Sequence, residues 1–336
     1  MRRAGWTLLT LGGAALAWRA WRGRQEVSLK GAVCLVTGAS HGLGYLIAGA
    51  LAREGARLVI CARHAELLES ARRHLEAEGA EVLAVTCDVS DRAQVDALAV
   101  EAIARFGGLD VVVNNAGVLE VGPFETMHVD DFVHDLSVNF WGPFNVTMAV
   151  LPALVRSRIR RLVFIDSIGG RVAIPHLLPY SCAKFALRGF AEGLRTELAK
   201  AKIAVTVVLP GLMRTGSALN ARFKGPARNE FTWFGVLAST PLTTMDAERA
   251  AERIVTALKR GEAEVTLSWQ AKVLGLAHDL FPSTTMDLLG VVNRLLPAAT
   301  SAETRQGRET PLVGSRLMRP LERQAARANQ FAAPPR

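Results

Sequence analysis

The sequence predicts an α/β fold in which helices flank a doubly wound parallel sheet. Two observations lead to this prediction. From Gly31 onward, short apolar segments alternate with segments long enough for a helix, and most of the apolar segments are β-branched and almost continuously hydrophobic. Strands that are buried on both faces of a sheet have this composition. Of the 336 residues, 50% are hydrophobic, so the chain can bury a sizeable core.

Six strands are predicted, and the spacing leaves room for a helix after each one, which is the repeated βαβ pattern. They are A-V-C-L-V-T at 32–37, R-L-V-I-C at 57–61, E-V-L-A-V-T at 81–86, D-V-V-V-N at 110–114, R-L-V-F-I-D at 161–166 and I-A-V-T-V-V-L at 203–209. After Pro210 the alternation loosens. Residues 245–260 form a predicted amphipathic helix with Asp246 near its N-terminus, and two apolar helices follow, each ended by a proline.

These patterns divide the chain into four segments. Residues 1–27 are hydrophobic with basic flanks, residues 28–267 form the α/β domain, residues 268–297 form an apolar helical extension, and residues 298–336 are a basic tail that we expect to be disordered. Within the domain, residues 212–242 are expected to cover a binding site, the alternative being an ordinary pair of surface helices. This covering segment contains an aromatic cluster of Phe223, Phe231, Trp233 and Phe234.

The net charge of +9 is confined to the two ends of the chain. Residues 1–30 carry six Lys or Arg against one acid, residues 301–336 carry seven Arg against three Glu, and the body between them carries 27 basic and 27 acidic side chains. A neutral body with basic ends favours contact with a membrane surface and argues against nucleic-acid binding, which needs a basic face on the folded domain. Solvated tails without a partner are the alternative.

The N-terminal segment favours a membrane anchor. Its uncharged run from Ala4 to Trp18 would extend about 22 Å as a helix, short of the roughly 30 Å hydrocarbon core, so it would span only with snorkelling arginines or local thinning. Tryptophans and arginines flank the run, and the larger number of basic residues after it predicts that the body lies on the cytoplasmic side. A cleaved signal peptide and a plain hydrophobic helix on a soluble cytoplasmic protein are the alternatives.

A glycine-rich loop, T-G-A-S-H-G-L-G at 37–44, stands between the first predicted strand and the first predicted helix. Glycines at 38, 42 and 44 allow a sharp turn and a close approach of the backbone to a ligand, while the helix N-terminus offers free N–H groups to a phosphate. The position of the loop in the βα unit predicts dinucleotide binding.

The residues after the second predicted strand favour NADP over NAD. An NAD site places a carboxylate there to bind the ribose 2'-hydroxyl, whereas this sequence has Ala62 and Arg63. The planar guanidinium of Arg63 could pair with a 2'-phosphate, assisted by His41. NADP(H) is therefore the expected cofactor, and NAD(H) is the alternative if Arg63 is only a solvated residue at a helix start.

With seven motifs in order over residues 30–260, the chain resembles the short-chain dehydrogenase/reductase (SDR) family. The motifs are T-G-A-S-H-G-L-G at 37–44, C-D-V at 87–89, N-N-A-G at 114–117, Asn139 in S-V-N-F-W-G, Ser167 in I-D-S-I-G-G, Y-S-C-A-K at 180–184 and P-G-L-M-R-T at 210–215. The resemblance implies a Rossmann-type sheet of about seven strands and a hydride transfer between NADP(H) and an alcohol or carbonyl.

The resemblance also implies the site residues, motif by motif. The catalytic residues would be Asn139, Ser167, Tyr180 and Lys184. The cofactor would contact Tyr180 and Lys184 as well as loop and strand-end residues: Thr37, Gly38, Ser40, His41, Gly42, Leu43, Gly44, Arg63, Asp88, Val89, Asn114, Asn115, Ala116, Gly117, Pro210, Gly211 and Thr215.

These residue types suit carbonyl reduction, which delivers a hydride to carbon and a proton to oxygen. Tyr180 is the expected proton donor, and Lys184, one helical turn later, is expected to lower the pKa of Tyr180 together with the oxidised nicotinamide. Ser167 would hydrogen-bond the substrate oxygen, and Asn139 would complete a water-linked proton path through Lys184. The cysteines, including Cys182, have no metal-ligand spacing and are expected only to pack in the interior.

The apolar residues beside the motifs predict a hydrophobic alcohol or carbonyl substrate of the lipid, retinoid, steroid or acyl type. The expected lining is the aromatic cluster together with Ile168, Val172, Ile174, Leu177, Leu178, Leu212 and Met213. Two other functions stay open: a soluble acyl ketoreductase, and a non-catalytic dinucleotide-binding sensor or scaffold on the same fold. A homo-oligomer is also left open.

Overall fold

Ten strands are present in the computed structural model, which describes residues 26–240, 244–299 and 303–310 together with Arg319 and Arg323. The strands are β1 (Val33–Thr37), β2 (Arg57–Ala62), β3 (Val82–Thr86), β4 (Val111–Asn114), β5 (Glu120–Val121), β6 (Arg161–Ile165), β7 (Ala204–Leu209), β8 (Arg222–Lys224), β9 (Glu264–Thr266) and β10 (Thr304–Gln306). All six strands predicted from the sequence form.

The central sheet is parallel and has the order β3-β2-β1-β4-β6-β7-β9. The strand order reverses between β1 and β4, which is the position where a doubly wound sheet opens a crevice for a ligand. The predicted Rossmann-type fold of about seven strands is therefore confirmed, with β9 as the seventh strand.

Helices cover both faces of this sheet. They are α1 (Gly42–Arg53), α2 (Ala65–Ala77), α3 (Arg92–Phe106), α4 (Val129–Leu136), α5 (Gly142–Arg156), α6 (Leu178–Glu197), α7 (Ser217–Asn220), α8 (Ala227–Ser239), α9 (Ala247–Arg260), α10 (Trp269–Leu280) and α11 (Pro282–Asn293). Alternate residues of β1 point to opposite faces: Cys34 and Val36 join the layer that contains α1 and α9, and Val33 and Leu35 join the layer that contains α3 and α5. Both layers are hydrophobic cores, as the apolar strands require.

The predicted helix at 245–260 is α9, and the Asp246 side chain caps it by accepting hydrogen bonds from the backbone N–H groups of Glu248 and Arg249. The two apolar helices of the extension are α10 and α11, which pack against each other. Side chains of α10 such as Trp269, at 62% exposure, remain on the surface.

A second, three-stranded sheet lies beside the first, in the order β10-β8-β5. Strand β10 pairs antiparallel with β8, with Arg305 opposite Phe223. The expectation of disorder throughout residues 298–336 is therefore wrong for residues 303–310. These residues form a strand because β8, in the covering segment, offers them a free edge for backbone hydrogen bonding.

The described part of the chain contains one helix long and apolar enough to cross a membrane, Val129–Arg156, which comprises α4, α5 and the π-helical turn between them. Half of its most apolar window is buried inside the fold, as in the core helix of a soluble protein. The predicted anchor at residues 4–18 lies outside the described residues.

Candidate active site

A cavity of about 780 Å³ opens at the carboxyl ends of the central strands, beside the point where the strand order reverses. Its volume is in the range of sites that hold a cofactor or a drug-sized ligand. It gathers all four proposed catalytic residues and nearly all proposed cofactor contacts: Gly38, Ser40, His41, Gly42, Leu43, Gly44, Arg63, Asp88, Val89, Asn115, Ala116, Gly117, Asn139, Ser167, Tyr180, Lys184, Pro210, Gly211 and Thr215. Thr37 and Asn114 are buried in the strands behind the cavity wall.

The glycine-rich loop has the backbone that a phosphate site needs. Gly38 and Gly42 have φ values of +65° and +59°, in the left-handed region that favours glycine. At Gly44 a Cβ atom would lie 2.3 Å from the Gly38 carbonyl oxygen, so no larger residue fits. The N-cap residue of α1, His41, makes no side-chain capping bond to the helix. The loop and its helix N-terminus therefore fit the pyrophosphate of a dinucleotide.

The motif N-N-A-G is tied to this loop by hydrogen bonds. The Asn115 Nδ2 donates to the carbonyl oxygens of Thr37 and Gly38, at 2.9 and 3.2 Å. The Thr37 Oγ1 accepts from the backbone N–H groups of Asn115 and Ala116, at 3.0 Å each. Thr37 therefore shapes the cofactor channel from behind and does not line it.

Arg63 follows β2 directly and lines the cavity. Its guanidinium is 4.0 Å from the Asp88 carboxylate, and its side chain is 47% exposed. A contact this long between exposed groups is weak, so it leaves the guanidinium available to a phosphate.

The four proposed catalytic residues come from three elements. Tyr180 and Lys184 lie one turn apart on α6, with the Lys184 Nζ 5.6 Å from the centroid of the Tyr180 ring. Ser167 caps a 3₁₀ turn, Ile168–Gly170, and its Oγ accepts a hydrogen bond from the Gly169 backbone N–H at 3.0 Å. Asn139 lies in the π-helical turn between α4 and α5, a distortion that often marks a functional site.

Lys184 and Asn139 are held by buried hydrogen bonds. The Lys184 Nζ donates to the Ile165 carbonyl oxygen at 2.9 Å. The Asn139 Nδ2 donates to the Val118 carbonyl oxygen at 3.0 Å and to the Asp135 carboxylate at 2.8 Å. These bonds fix both side chains in one orientation at the cavity wall.

Burial raises the pKa of Tyr180, a shift that the charges of Asp166 and Asp135 reinforce and the hydrogen bond with Ser167 opposes. The expectation that Lys184 and the oxidised nicotinamide together lower this pKa stays a prediction. Burial lowers the pKa of Lys184 itself, while Asp166 and Asp135 oppose that shift. The Tyr180 hydroxyl in this cavity therefore holds its proton at neutral pH.

Two buried carboxyl groups beside this site were not predicted from the sequence. Burial raises the pKa of Asp166, which directly precedes Ser167, to about 7, and that of Asp135 to about 8. The charge of Glu120 adds to the shift at Asp135, and the charge of Lys184 opposes both shifts. The one available signal was the helical spacing of Asp135 and Asn139, four residues apart.

The far end of the cavity is apolar, as expected, but with a different set of residues. Ile168, Ile174, Leu177, Leu212, Met213, Trp233 and Phe234 line it, joined by Leu119, Leu237 and Leu274. Val172, Phe223 and Phe231 are fully buried in packing cores, and Leu178 faces outward. Cys182 is exposed, contrary to its expected packing role, whereas the other three cysteines are buried.

Trp233 is held in this wall by two buried polar residues. Its Nε1 donates to the Glu230 carboxylate at 2.7 Å, and the Nδ1 of His176 lies 3.0 Å from the same carboxylate. His176 belongs to the loop before Tyr180, and Glu230 belongs to α8. Glu230 therefore connects the covering segment to the loop that precedes Tyr180.

This sheet, loop and group of catalytic side chains define a dinucleotide-dependent oxidoreductase of the Rossmann class. A sequence profile described as short chain dehydrogenase matches residues 32–224. The chain belongs to the short-chain dehydrogenase/reductase family, whose members use a nicotinamide dinucleotide.

Three known proteins illustrate the similarity. Dehydrogenase/reductase SDR family member 7B of Mus musculus is 33% identical over 249 residues, which cover 73% of this chain and 76% of that protein. A protein of Streptomyces coelicolor with the name "Putative ketoacyl reductase" is 37% identical over 192 residues, which cover 56% of this chain and 74% of that protein. The structure of a gluconate 5-dehydrogenase from Burkholderia cenocepacia in complex with NADP and tartrate has a TM-score of 0.63 and 25% identity, covering 75% of this chain and 98% of that one.

Proposed function

We propose that this protein is an NADP(H)-dependent oxidoreductase that interconverts a hydrophobic alcohol and its carbonyl compound. The observation that supports it most is one cavity with two unlike ends. The glycine-rich loop and Arg63 lie at one end, apolar side chains lie at the other, and Ser167 and Tyr180 line the same cavity.

In this proposal the bound nicotinamide supplies or accepts the hydride, and the chain's own residues handle the proton. The Ser167 hydroxyl hydrogen-bonds the substrate oxygen, and the Tyr180 hydroxyl donates its proton to that oxygen during reduction. Lys184 binds the nicotinamide ribose and passes a proton to Tyr180. Asn139, fixed by Asp135, holds the water that reconnects Lys184 to solvent.

The test is NADPH consumption by the purified full-length chain across a panel of ketones and aldehydes of increasing hydrophobicity. We expect kcat/KM to rise with the apolar surface of the substrate, because the far end of the cavity offers mainly apolar contacts. A preference for small polar carbonyls would contradict the proposed substrate class.

The proposed preference for NADP(H) is tested by titrating NADPH and NADH against the wild type and Arg63→Ala. We expect NADPH to bind about tenfold or more tightly than NADH in the wild type, and the advantage to disappear in the variant. Equal binding of the two cofactors by the wild type would instead favour NAD(H) or mixed use.

Two other functions are distinguished by further observations. The similarity to a ketoacyl reductase favours an acyl ketoreductase, which would reduce β-ketoacyl thioesters faster than simple ketones. A non-catalytic sensor or scaffold would bind NADPH without consuming it with any carbonyl. The complete set of Asn139, Ser167, Tyr180 and Lys184 in one cavity argues against this last function.

We further propose that the protein is attached to a membrane surface through its N-terminus, with the catalytic domain on the cytoplasmic side. The apolar run with flanking arginines and the hydrophobic substrate end both support this. A soluble cytoplasmic protein is the alternative. Self-association into a homo-oligomer would be compatible with either location.

A further inference from the structure

The described residues 303–310, which we call the C-terminal strap, lie across the covering segment at the rim of the cavity. They consist of β10 and a 3₁₀ turn, Gly307–Glu309. The strap is anchored at its start by the Gly225 backbone N–H, which donates to the Glu303 carbonyl oxygen at 2.9 Å. Its far end is held by a capping box between Gln306 and Glu309.

The packing of the strap is close at Gly307. Its backbone N–H donates to the Ala221 carbonyl oxygen at 2.9 Å. A Cβ atom at this position would lie 2.0 Å from the Ala218 carbonyl oxygen, so only glycine allows the two backbones to meet. The strap therefore sits in one defined place, and the direction of the next side chain, Arg308, is defined with it.

Arg308 reaches the glycine-rich loop through one neutral side chain. Its guanidinium donates to the Asn220 Oδ1 at 2.7 Å, and the Asn220 Nδ2 lies 3.3 Å from the Nε2 of His41. Both Gln306 and Arg308 line the cavity, together with His41 and Asn220. Burial lowers the pKa of His41, and the positive charge of Arg308 lowers it further, so the guanidinium acts electrostatically on the loop.

The charges at this end of the cavity suit an anion. It is lined by two guanidinium groups, Arg63 and Arg308, and by two imidazole rings, His41 and His64. One carboxylate, that of Asp88, also lines this end, and it lies beside Arg63. Among the described residues, Arg308 makes no salt bridge with a carboxylate, and its hydrogen-bond partner is the amide of Asn220. A guanidinium with a neutral partner, next to a loop built for phosphates, can bind a phosphate in a bidentate manner.

We propose that Arg308 is a cofactor-binding residue that contacts a phosphate of the bound dinucleotide, so that the C-terminal strap closes the phosphate end of the cleft. This inference rests on the proposed use of NADP(H). The phosphate is either the pyrophosphate, which NADH shares, or the 2'-phosphate, which only NADPH carries.

The test measures NADPH and NADH dissociation constants by titration calorimetry for the full-length wild type, Arg308→Gln and Arg305→Gln. Arg305 is the matched control, because it lies on the same C-terminal strap, is 41% exposed and pairs with Glu303 outside the cavity. We expect Arg308→Gln to weaken NADPH binding about tenfold or more, with a shallower dependence on salt, and Arg305→Gln to bind as the wild type does.

The pattern of loss identifies the phosphate. An equal loss of affinity for NADPH and NADH assigns Arg308 to the pyrophosphate. A loss of affinity for NADPH alone assigns it to the 2'-phosphate. Unchanged NADPH binding by a folded Arg308→Gln variant would overturn the proposal. A wild type that binds neither cofactor would overturn the proposed function itself, so the two failures are distinguishable. Arg308→Lys, which keeps the charge but not the planar fork, should bind NADPH with intermediate affinity.

Discussion

Tyr180 lines the cavity, and its surroundings decide its protonation state. Burial and the nearby carboxyl groups of Asp135 and Asp166 raise its pKa, and the hydrogen bond from Ser167 is the opposing influence. These surroundings therefore favour the protonated hydroxyl. Lys184 lies one helical turn from Tyr180, and its Nζ is held by the hydrogen bond to the Ile165 carbonyl oxygen.

The first prediction at this scale is that Tyr180→Phe lowers kcat by at least roughly 100-fold and leaves the NADPH dissociation constant within about twofold, because only the hydroxyl is removed. Carbonyl-dependent NADPH oxidation and NADPH titration measure the two effects. Phe185→Tyr, on an exposed position of the same helix, is the control and should keep wild-type turnover. Retained turnover in Tyr180→Phe would mean that another group donates the proton.

A second residue-scale prediction concerns Asp135, which is fully buried. Because its pKa in the folded protein is about 8, against 3.8 for a free carboxyl, the folded state holds a proton that the unfolded state releases between these values. The free energy of unfolding must therefore fall as pH rises through this window. Asp135→Asn removes this pH-dependent loss of stability, because an amide does not ionise. Its side-chain oxygen can still accept the hydrogen bond from Asn139.

We expect Asp135→Asn to gain stability relative to the wild type as pH rises, by about 1 to 3 kcal/mol between about pH 5.5 and about pH 7.5. Urea unfolding at the two pH values measures the difference. Asp130→Asn, on the exposed side of the same helix, should have the same free energy of unfolding as the wild type at both pH values. If the wild type and Asp135→Asn lose stability in parallel as pH rises, the buried carboxyl does not hold a proton.

At the scale of single elements, two glycines of α1 have different roles. Gly44 is required by contact, since a Cβ atom there would lie 2.3 Å from the Gly38 carbonyl oxygen and 2.4 Å from the Asn115 Nδ2. Gly49, later in the same helix, has only ordinary contacts available to a Cβ, the nearest being the Arg53 Nη1 at 3.7 Å. One helix therefore offers a required glycine and a dispensable one.

We predict opposite outcomes for alanine at these two positions. Gly44→Ala should lose about 1 to 3 kcal/mol of stability and bind NADPH much more weakly, because the loop must move away from the phosphate position. Gly49→Ala should keep NADPH binding and gain about 0.5 to 1 kcal/mol, since alanine costs less backbone entropy in a helix. Thermal unfolding and NADPH titration test both, and tight NADPH binding by Gly44→Ala would refute the role of the loop.

Elements differed in how far the sequence could predict them. The strands β1 to β4, β6 and β7 are apolar on both faces, so their composition alone located them. The second sheet could not be predicted, because β8 and β10 are three residues each and exist only through pairing between distant segments. Arg308 was hidden for the same reason: in the sequence it is one of several arginines in a tail without periodicity.

At the scale of the whole molecule, the site joins segments from nearly the full length of the described chain. The loop after β1, the turn after β6, the covering segment, α10 and the C-terminal strap all line one cavity. Five of the seven motifs lie at the carboxyl end of a predicted strand, and parallel strands bring those ends together. Asn139 and the pair Tyr180 and Lys184 lie on helical segments, so only the resemblance to the family pointed to them. The burial of Asp135 and Asp166 and the position of the strap come from packing between elements, and the helical spacing of Asp135 and Asn139 is the one local pattern that points to any of them.

The N-terminus is the remaining part of the molecule with an expected role, and the structure shows where to separate it from the domain. Glu26 is the first described residue, and its carboxylate pairs with Lys259 and Arg260 at the end of α9, while the Val27 N–H donates to the Lys259 carbonyl. A chain shortened to begin at Gln25 therefore keeps every contact described for this segment.

We predict that the full-length protein sediments with membranes and that the chain beginning at Gln25 stays in the soluble fraction with unchanged NADPH binding. The physical reason is that the apolar run from Ala4 to Trp18 provides the hydrophobic contact with lipid, whereas the body has no net charge to attract a membrane. Fractionation with carbonate and detergent washes measures it. If both forms are soluble, the anchor is wrong and the soluble reductase is favoured; if both sediment, lipid contact comes from the body, where the exposed side chains of α10 and α11 are the first to substitute.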